Sequence, residues 1–242
     1  MRVGLLGRSQ GELDVTKLEI EDAGGTAHRF RADVRDFEQV SPAVDRMTAI
    51  FGDVQVLVAN AAILGPIGPF VEHRPRDWKE IFETNVIGVM NACRAVLPQM
   101  IQRRSGKILV IADSSSSHPR PNFAPYSAGK AAVVRFVESV AEEVRDRNIQ
   151  INCFSPGGAY TSMTDEILDA DERAGSKEVE DAEQIRLTGG VAAERQIKVA
   201  LFLASERSNH LTGKLIDVTD DWKKLERENT HPDAWTLRRH LK

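Results

Sequence analysis

Apolar positions along this chain fall into two alternating rhythms. Short β-type runs occupy residues 3–6, 27–32, 54–59, 107–111, 150–154 and 214–218, most of them bounded by Gly, Asp, Asn or Ser. Between them the spacing turns helical: Val133, Phe136, Val137, Val140 and Val144 share one face, as do Ile81, Val89, Cys93, Val96, Met100 and Ile101 over a longer stretch. This alternation predicts an α/β fold, a parallel sheet with helices on both faces and right-handed crossovers. Two stretches break the rhythm. Residues 161–190 are rich in Asp and Glu and read as an insertion or substrate lid. Residues 219–242 carry Trp222, Leu225, Trp235 and Leu237 and predict a partly helical tail, packed on its own subunit or on another.

Composition narrows the classes. With 242 residues, 41% hydrophobic and 28% charged, the chain suffices for one domain spanning residues 1–242. A net charge of −4 offers no clustered cationic surface for nucleic acid or an anionic membrane, so neither is expected as a partner. Cys93 and Cys153 each lie in an apolar stretch and read as thiols of a reducing compartment. No segment approaches the roughly 18 apolar residues of a membrane span, and a cytoplasmic location is expected. The six histidines show no metal spacing, so no metal is expected; His118 reads as a surface loop residue.

The chemistry concentrates in SSSSHPRPNFAPYSAGKAAV. Tyr126 and Lys130, four apart at the head of a helical segment, share one face. A cation beside a phenol favours the phenolate and makes Tyr126 a usable acid and base. YSAGK, VANAAI, TNVIG and SPGGAYT, together with RADVRD and LTGKLIDV, resemble in order and spacing the motifs of the short-chain dehydrogenase/reductase family, over residues 3–218.

That resemblance implies a Rossmann-like doubly wound sheet and a hydride transfer between nicotinamide and a carbonyl or secondary alcohol. It assigns the substrate proton to Tyr126, the nicotinamide ribose to Lys130, which also lowers the Tyr126 pKa, and a proton-relay water to Asn85. Asp33 would meet the adenine edge, and Asn60 and Ala61 the adenosine ribose side. Pro156, Gly157, Ala159 and Thr161 would cradle the nicotinamide end. Arg8 follows Gly7, where a cofactor-selecting acid would stand, and points to NADP, with NAD the second choice. A homo-oligomer, dimer or tetramer, is expected.

Two departures stand out. The family's carbonyl-binding Ser falls on Asp113, so Ser114 is expected to substitute, because an ionised carboxylate donates no hydrogen bond. No Gly-x-x-x-Gly-x-Gly or Gly-x-Gly-x-x-Gly occurs, and in the family VGLLG is the second strand, behind a first strand, a Gly-rich turn and a helix. The first βα unit is therefore expected to be missing. The alternatives are a start internal to a longer protein, a slot filled by another segment or chain, or a sheet contracted to the order 3-2-4-5-6-7, in which VGLLG pairs directly with VLVAN and NADP affinity is severely reduced. A non-catalytic relative, serving as a binding or subunit-partner protein, remains the alternative function.

Overall fold

A computed structural model describes residues 1–227, 231 and 233–237. Its strands are β1 (Arg2–Gly7), β2 (Thr26–Arg31), β3 (Val56–Ala59), β4 (Gly106–Ile111), β5 (Ile149–Ser155) and β6 (Leu215–Asp217). Between β1 and β5 run helices α1 (Gln10–Asp22), α2 (Phe37–Phe51), α3 (Pro75–Phe82), α4 (Gly88–Arg103) and α5 (Ala124–Glu143). Then come α6 (Ser162–Ala170), α7 (Ser176–Thr188), α8 (Ala193–Leu203) and α9 (Trp222–Arg227). Each of the six expected runs overlaps one of these strands, and every ladder is parallel.

Side chains alternate across the strands and sort the helices onto two faces. Ile108 and Val110 of β4 join Val44, Val89 and Val137 in a core beneath α2, α4 and α5. Leu109, between them, packs on the other face with Val199, Phe202 and Leu203 of α8. A side chain at Gly4 would run into Met47 of α2, whereas one at Gly7 would meet Leu13 of α1. Residues three apart in a strand face opposite sides, so α1 shares the α8 face.

The sheet is divided. β1 pairs with β2 alone, and β3, β4, β5 and β6 form a second sheet in that order. The contracted sheet, one of the three alternatives drawn from the sequence, is thus not formed: β1 and β3 are not paired. That expectation treated peptide groups at a vacant slot as buried and unsatisfied. Here the strands flanking the division are partly open to solvent, and water can serve their polar groups. β5 is buried throughout, whereas no residue of β1 is, and Val58 of β3 is 54% exposed. Carbonyls of Met1 and Gly7 accept from the β2 side and that of Gln55 from β4. By the alternation of a parallel ladder, the N–H groups of Gly4, Leu6 and Val58 therefore point toward the division. Contacts of α2 with α4 join the two parts on one face. On the other face Val15 and Leu18 of α1, and Ile197 and Leu201 of α8, remain exposed.

The chain thus opens with a βα unit, β1 followed by α1, so the absence of a first βα unit expected from the sequence is not shown. The expected lid is more ordered than its composition suggested, comprising α6, a 3-10 turn and α7, and an Ala159–Gly190 bridge closes its base. In the tail, Leu225 is buried with Phe202, Trp222 lies 5.5 Å from the Phe202 ring, and Leu215 donates to the Trp235 carbonyl. These described parts of the tail pack on their own subunit; residues 228–230, 232 and 238–242 lie outside the described set.

Candidate active site

Strands β4 and β5 end beside the start of α5, and Tyr126 and Lys130 stand there, 6% and 5% exposed. Pro125 in the first turn suits a helix start, where its missing N–H costs nothing. The Lys130 ammonium donates to the Ile111 carbonyl at 2.8 Å and lies 5.5 Å from the centre of the Tyr126 ring. The ring packs among Leu64, Phe123 and Ile167.

Burial pushes the Tyr126 phenol well above its ordinary pKa, and the Asp113 carboxylate pushes it further, while the Arg120 guanidinium opposes both. Burial lowers Lys130, against the pull of Asp113. The structure therefore differs from the expected lowering of Tyr126 by Lys130. The opposing cation is Arg120, which also lies over the Phe123 ring, 4.1 Å from its centre.

Asp113 ends the chain's run out of β4 and caps the 3-10 turn Ser114–Ser116, accepting the Ser115 N–H at 2.7 Å. Ser114 is exposed, whereas Ser115 is 6% exposed and its Oγ has no hydrogen-bond partner. Asn85 lies in a π-helical turn, Glu83–Ile87, and is 2% exposed. Its amide accepts from the Ile63 N–H at 2.9 Å and donates to the Ile63 carbonyl at 2.8 Å. The side chain thus anchors the loop after β3, a task the motif resemblance did not indicate.

Arg8 and Asp33 follow the ends of β1 and β2. Asp33 is held below the ordinary carboxylate range, first by hydrogen bonds from Arg35, whose Nε and guanidinium nitrogen bind both its oxygens, and lastly by Arg8. Asn60 and Ala61 are exposed at the end of β3. After β5, Gly157 takes a φ of +74°, and a side chain there would strike Val191 at 2.7 Å, so this turn requires glycine. Gln196 donates to the Pro156 carbonyl at 3.0 Å, Ala159 forms the bridge to Gly190, and Thr161 caps α6.

A cavity of about 700 Å³ lies between residues 113–121 and the lid. Asp113, Ser114, Ser115, His118 and Arg120 line one wall, and Thr164, Ile167, Glu178, Gln184 and Ile185 line the other. Arg120 donates to Glu178 of α7 at 2.7 and 3.1 Å, tying the walls together. Neither residue was singled out in the sequence, since a lone Arg and a Glu 58 positions later carry no motif. No group of metal-ligating side chains occurs among the described residues. None of their helices is long and apolar enough to cross a membrane.

Comparison with known proteins adds independent findings. Residues 1–172 match the family described as short chain dehydrogenase. The chain is 31% identical over 211 residues to the 3-oxoacyl-[acyl-carrier-protein] reductase FabG of Thermotoga maritima, an overlap of 87% of this chain and 82% of the relative. It is 32% identical over 203 residues to the 2,3-dihydro-2,3-dihydroxybenzoate dehydrogenase of Bacillus subtilis, covering 82% and 76%. The crystal structure of a gluconate 5-dehydrogenase from Burkholderia cenocepacia, in complex with NADP and tartrate, is similar with a TM-score of 0.77 and 28% identity, over 88% of this chain and 82% of that one.

Proposed function

This chain belongs to the short chain dehydrogenase family, and on that premise we propose that it is an NADP-dependent oxidoreductase interconverting a carbonyl and a secondary alcohol, with Tyr126 as acid and base. The observation that carries this reading is the placement of Tyr126 beside Lys130, at the strand ends and behind the wall of the cavity that the lid borders. NAD(P) dependence is the family's trait. Arg8 exposed at the end of β1, and the NADP of the gluconate dehydrogenase, favour NADP.

The residues present suit the nicotinamide half of the cofactor. Lys130 and Tyr126 supply polar groups for the ribose, and the turn at Gly157 lets backbone approach closely, with Pro156, Ala159 and Thr161 beside it. Asp33, Asn60 and Ala61 would border the adenosine. When bound, the nicotinamide supplies or accepts a hydride at the substrate carbon. Tyr126, held protonated at neutral pH by burial, gives its proton to the substrate oxygen in the reducing direction. Arg120 is the cation that favours the phenolate when the proton must return. Ser114, exposed on the cavity wall, would donate to the substrate carbonyl.

The pyrophosphate side is weaker. No Gly-rich turn occurs in the sequence, and we infer that the division between β1 and β3 marks the place of the strand that carries it in the family. The N–H groups facing the division and the exposed apolar residues on α1 and α8 support this inference. It also sustains a second reading, a non-catalytic relative with little affinity for the cofactor.

Titration with NADPH and NADH, following nicotinamide fluorescence and the thermal midpoint together, tests both readings. Saturable binding with a raised midpoint, stronger for NADPH, is expected of the oxidoreductase. A folded chain that binds neither cofactor would overturn that reading for this chain and leave the second.

A further inference from the structure

The cavity beside Tyr126 holds an unusual distribution of charge. Arg120 is taken up by Glu178 at 2.7 Å and Lys177 by Asp181 at 2.5 Å, so four of the charged groups lining it cancel in pairs. Asp113 is different, since it forms no ion pair with any described residue within 4 Å. Its carboxylate accepts the backbone N–H of Ser115 at 2.7 Å and, in a capping box, that of Ser116. A carboxylate has about four lone-pair sites, so capping this short turn leaves acceptor capacity on the cavity wall.

Asp113 also stands two residues beyond Ile111, whose carbonyl accepts from Lys130 at 2.8 Å. The Asp113 charge acts on Tyr126 and Lys130 of α5 and on Arg120 in the segment just before that helix. A ketone oxygen brought there presents lone pairs to lone pairs, which is repulsive. A hydroxyl presents a donor, and a hydrogen bond to a charged acceptor is among the stronger ones available. Ser114, next in sequence and exposed on the same wall, can donate to an oxygen that Asp113 repels. The amide of Gln184 across the cavity adds a further polar partner.

We propose that Asp113 is a specificity-determining residue that accepts a hydrogen bond from a substrate hydroxyl adjacent to the reacting carbon, so that the enzyme takes vicinal diols and their hydroxy ketones in preference to simple alcohols and ketones. The inference rests on the reading of Tyr126 as the reacting group.

Its test is a binding measurement that does not depend on turnover. Pentane-2,3-diol and pentan-2-ol differ by one hydroxyl, and their dissociation constants are measured by ligand-observed NMR on the full chain with Asp113 intact and on the Asp113→Asn and Asp113→Ser variants. Both replacements can still cap the turn, and their thermal midpoints report whether they fold. The intact protein should prefer the diol by about fivefold or more, and both variants should bring the two ligands within about twofold of each other. Equal affinities in the intact protein, a diol preference that survives loss of the carboxylate, or no binding of either ligand up to its solubility would each overturn the proposal. Oxidation of the two alcohols with NADP as acceptor is followed separately. Absence of turnover with a diol preference intact would count against the oxidoreductase reading alone.

Discussion

At Lys107 the fold buries a charge that the proposed chemistry does not use. Lys107 is 8% exposed on β4, its Nζ donates to Ser208 Oγ at 3.1 Å, and burial lowers its pKa from 10.5 to about 8, with Glu206 opposing. In the unfolded chain the group keeps the higher value and binds more protons between these two. Its contribution to stability is therefore greatest above pH 10.5 and is lost as pH falls through about 8. Lys107→Met should raise the thermal midpoint by several degrees at pH 7, and the gain should shrink steadily toward pH 10; a gain independent of pH would refute this account. Single residues were unevenly legible. Tyr126 and Lys130 were readable because a helical repeat of four fixes their shared face. The state of Asp113 was not, because whether it caps a turn or faces a cavity depends on a three-residue 3-10 helix with no periodicity of its own.

Among the elements, the strands were legible because each is a short apolar run closed by turn residues, and a parallel sheet buries such runs. Helices α6 and α7 were not, since their acidic sequence resembles a solvated loop. They are held instead by long-range contacts: Arg120 with Glu178, Asn122 with the Ala174 carbonyl, and Arg173 with Glu72. The first of these is the most sheltered, with side chains 18% and 23% exposed. Glu178→Gln should loosen α7, raising KM by about threefold to tenfold with a smaller change in kcat. Steady-state kinetics on a diol would check this, and an unchanged KM would mean that the pair does not govern access to the cavity. Glu178→Ala should be worse than Gln, because it strands the Arg120 guanidinium without a partner.

For the whole molecule, the order of elements was readable and their spacing was not. The reading that strands must close a gap assumed a buried gap, whereas Val58 and the β1 residues keep access to solvent. Hydrogen exchange should reflect this. The amides of Gly4, Leu6 and Val58 should exchange at least about a hundredfold faster than those of Ile108 and Ile151 in the interior strands. Equal protection of the two sets would show that something pairs with those edges in solution. The helices α2 and α4 then resemble the spine of a book, with the two half-sheets as its leaves. The candidate cofactor residues are shared between the leaves, Arg8 and Asp33 on one, Asn60 and Tyr126 on the other, so a dinucleotide touching both would act as a clasp. Its arrival would register as a stiffening of the hinge between them more than as a change in either leaf.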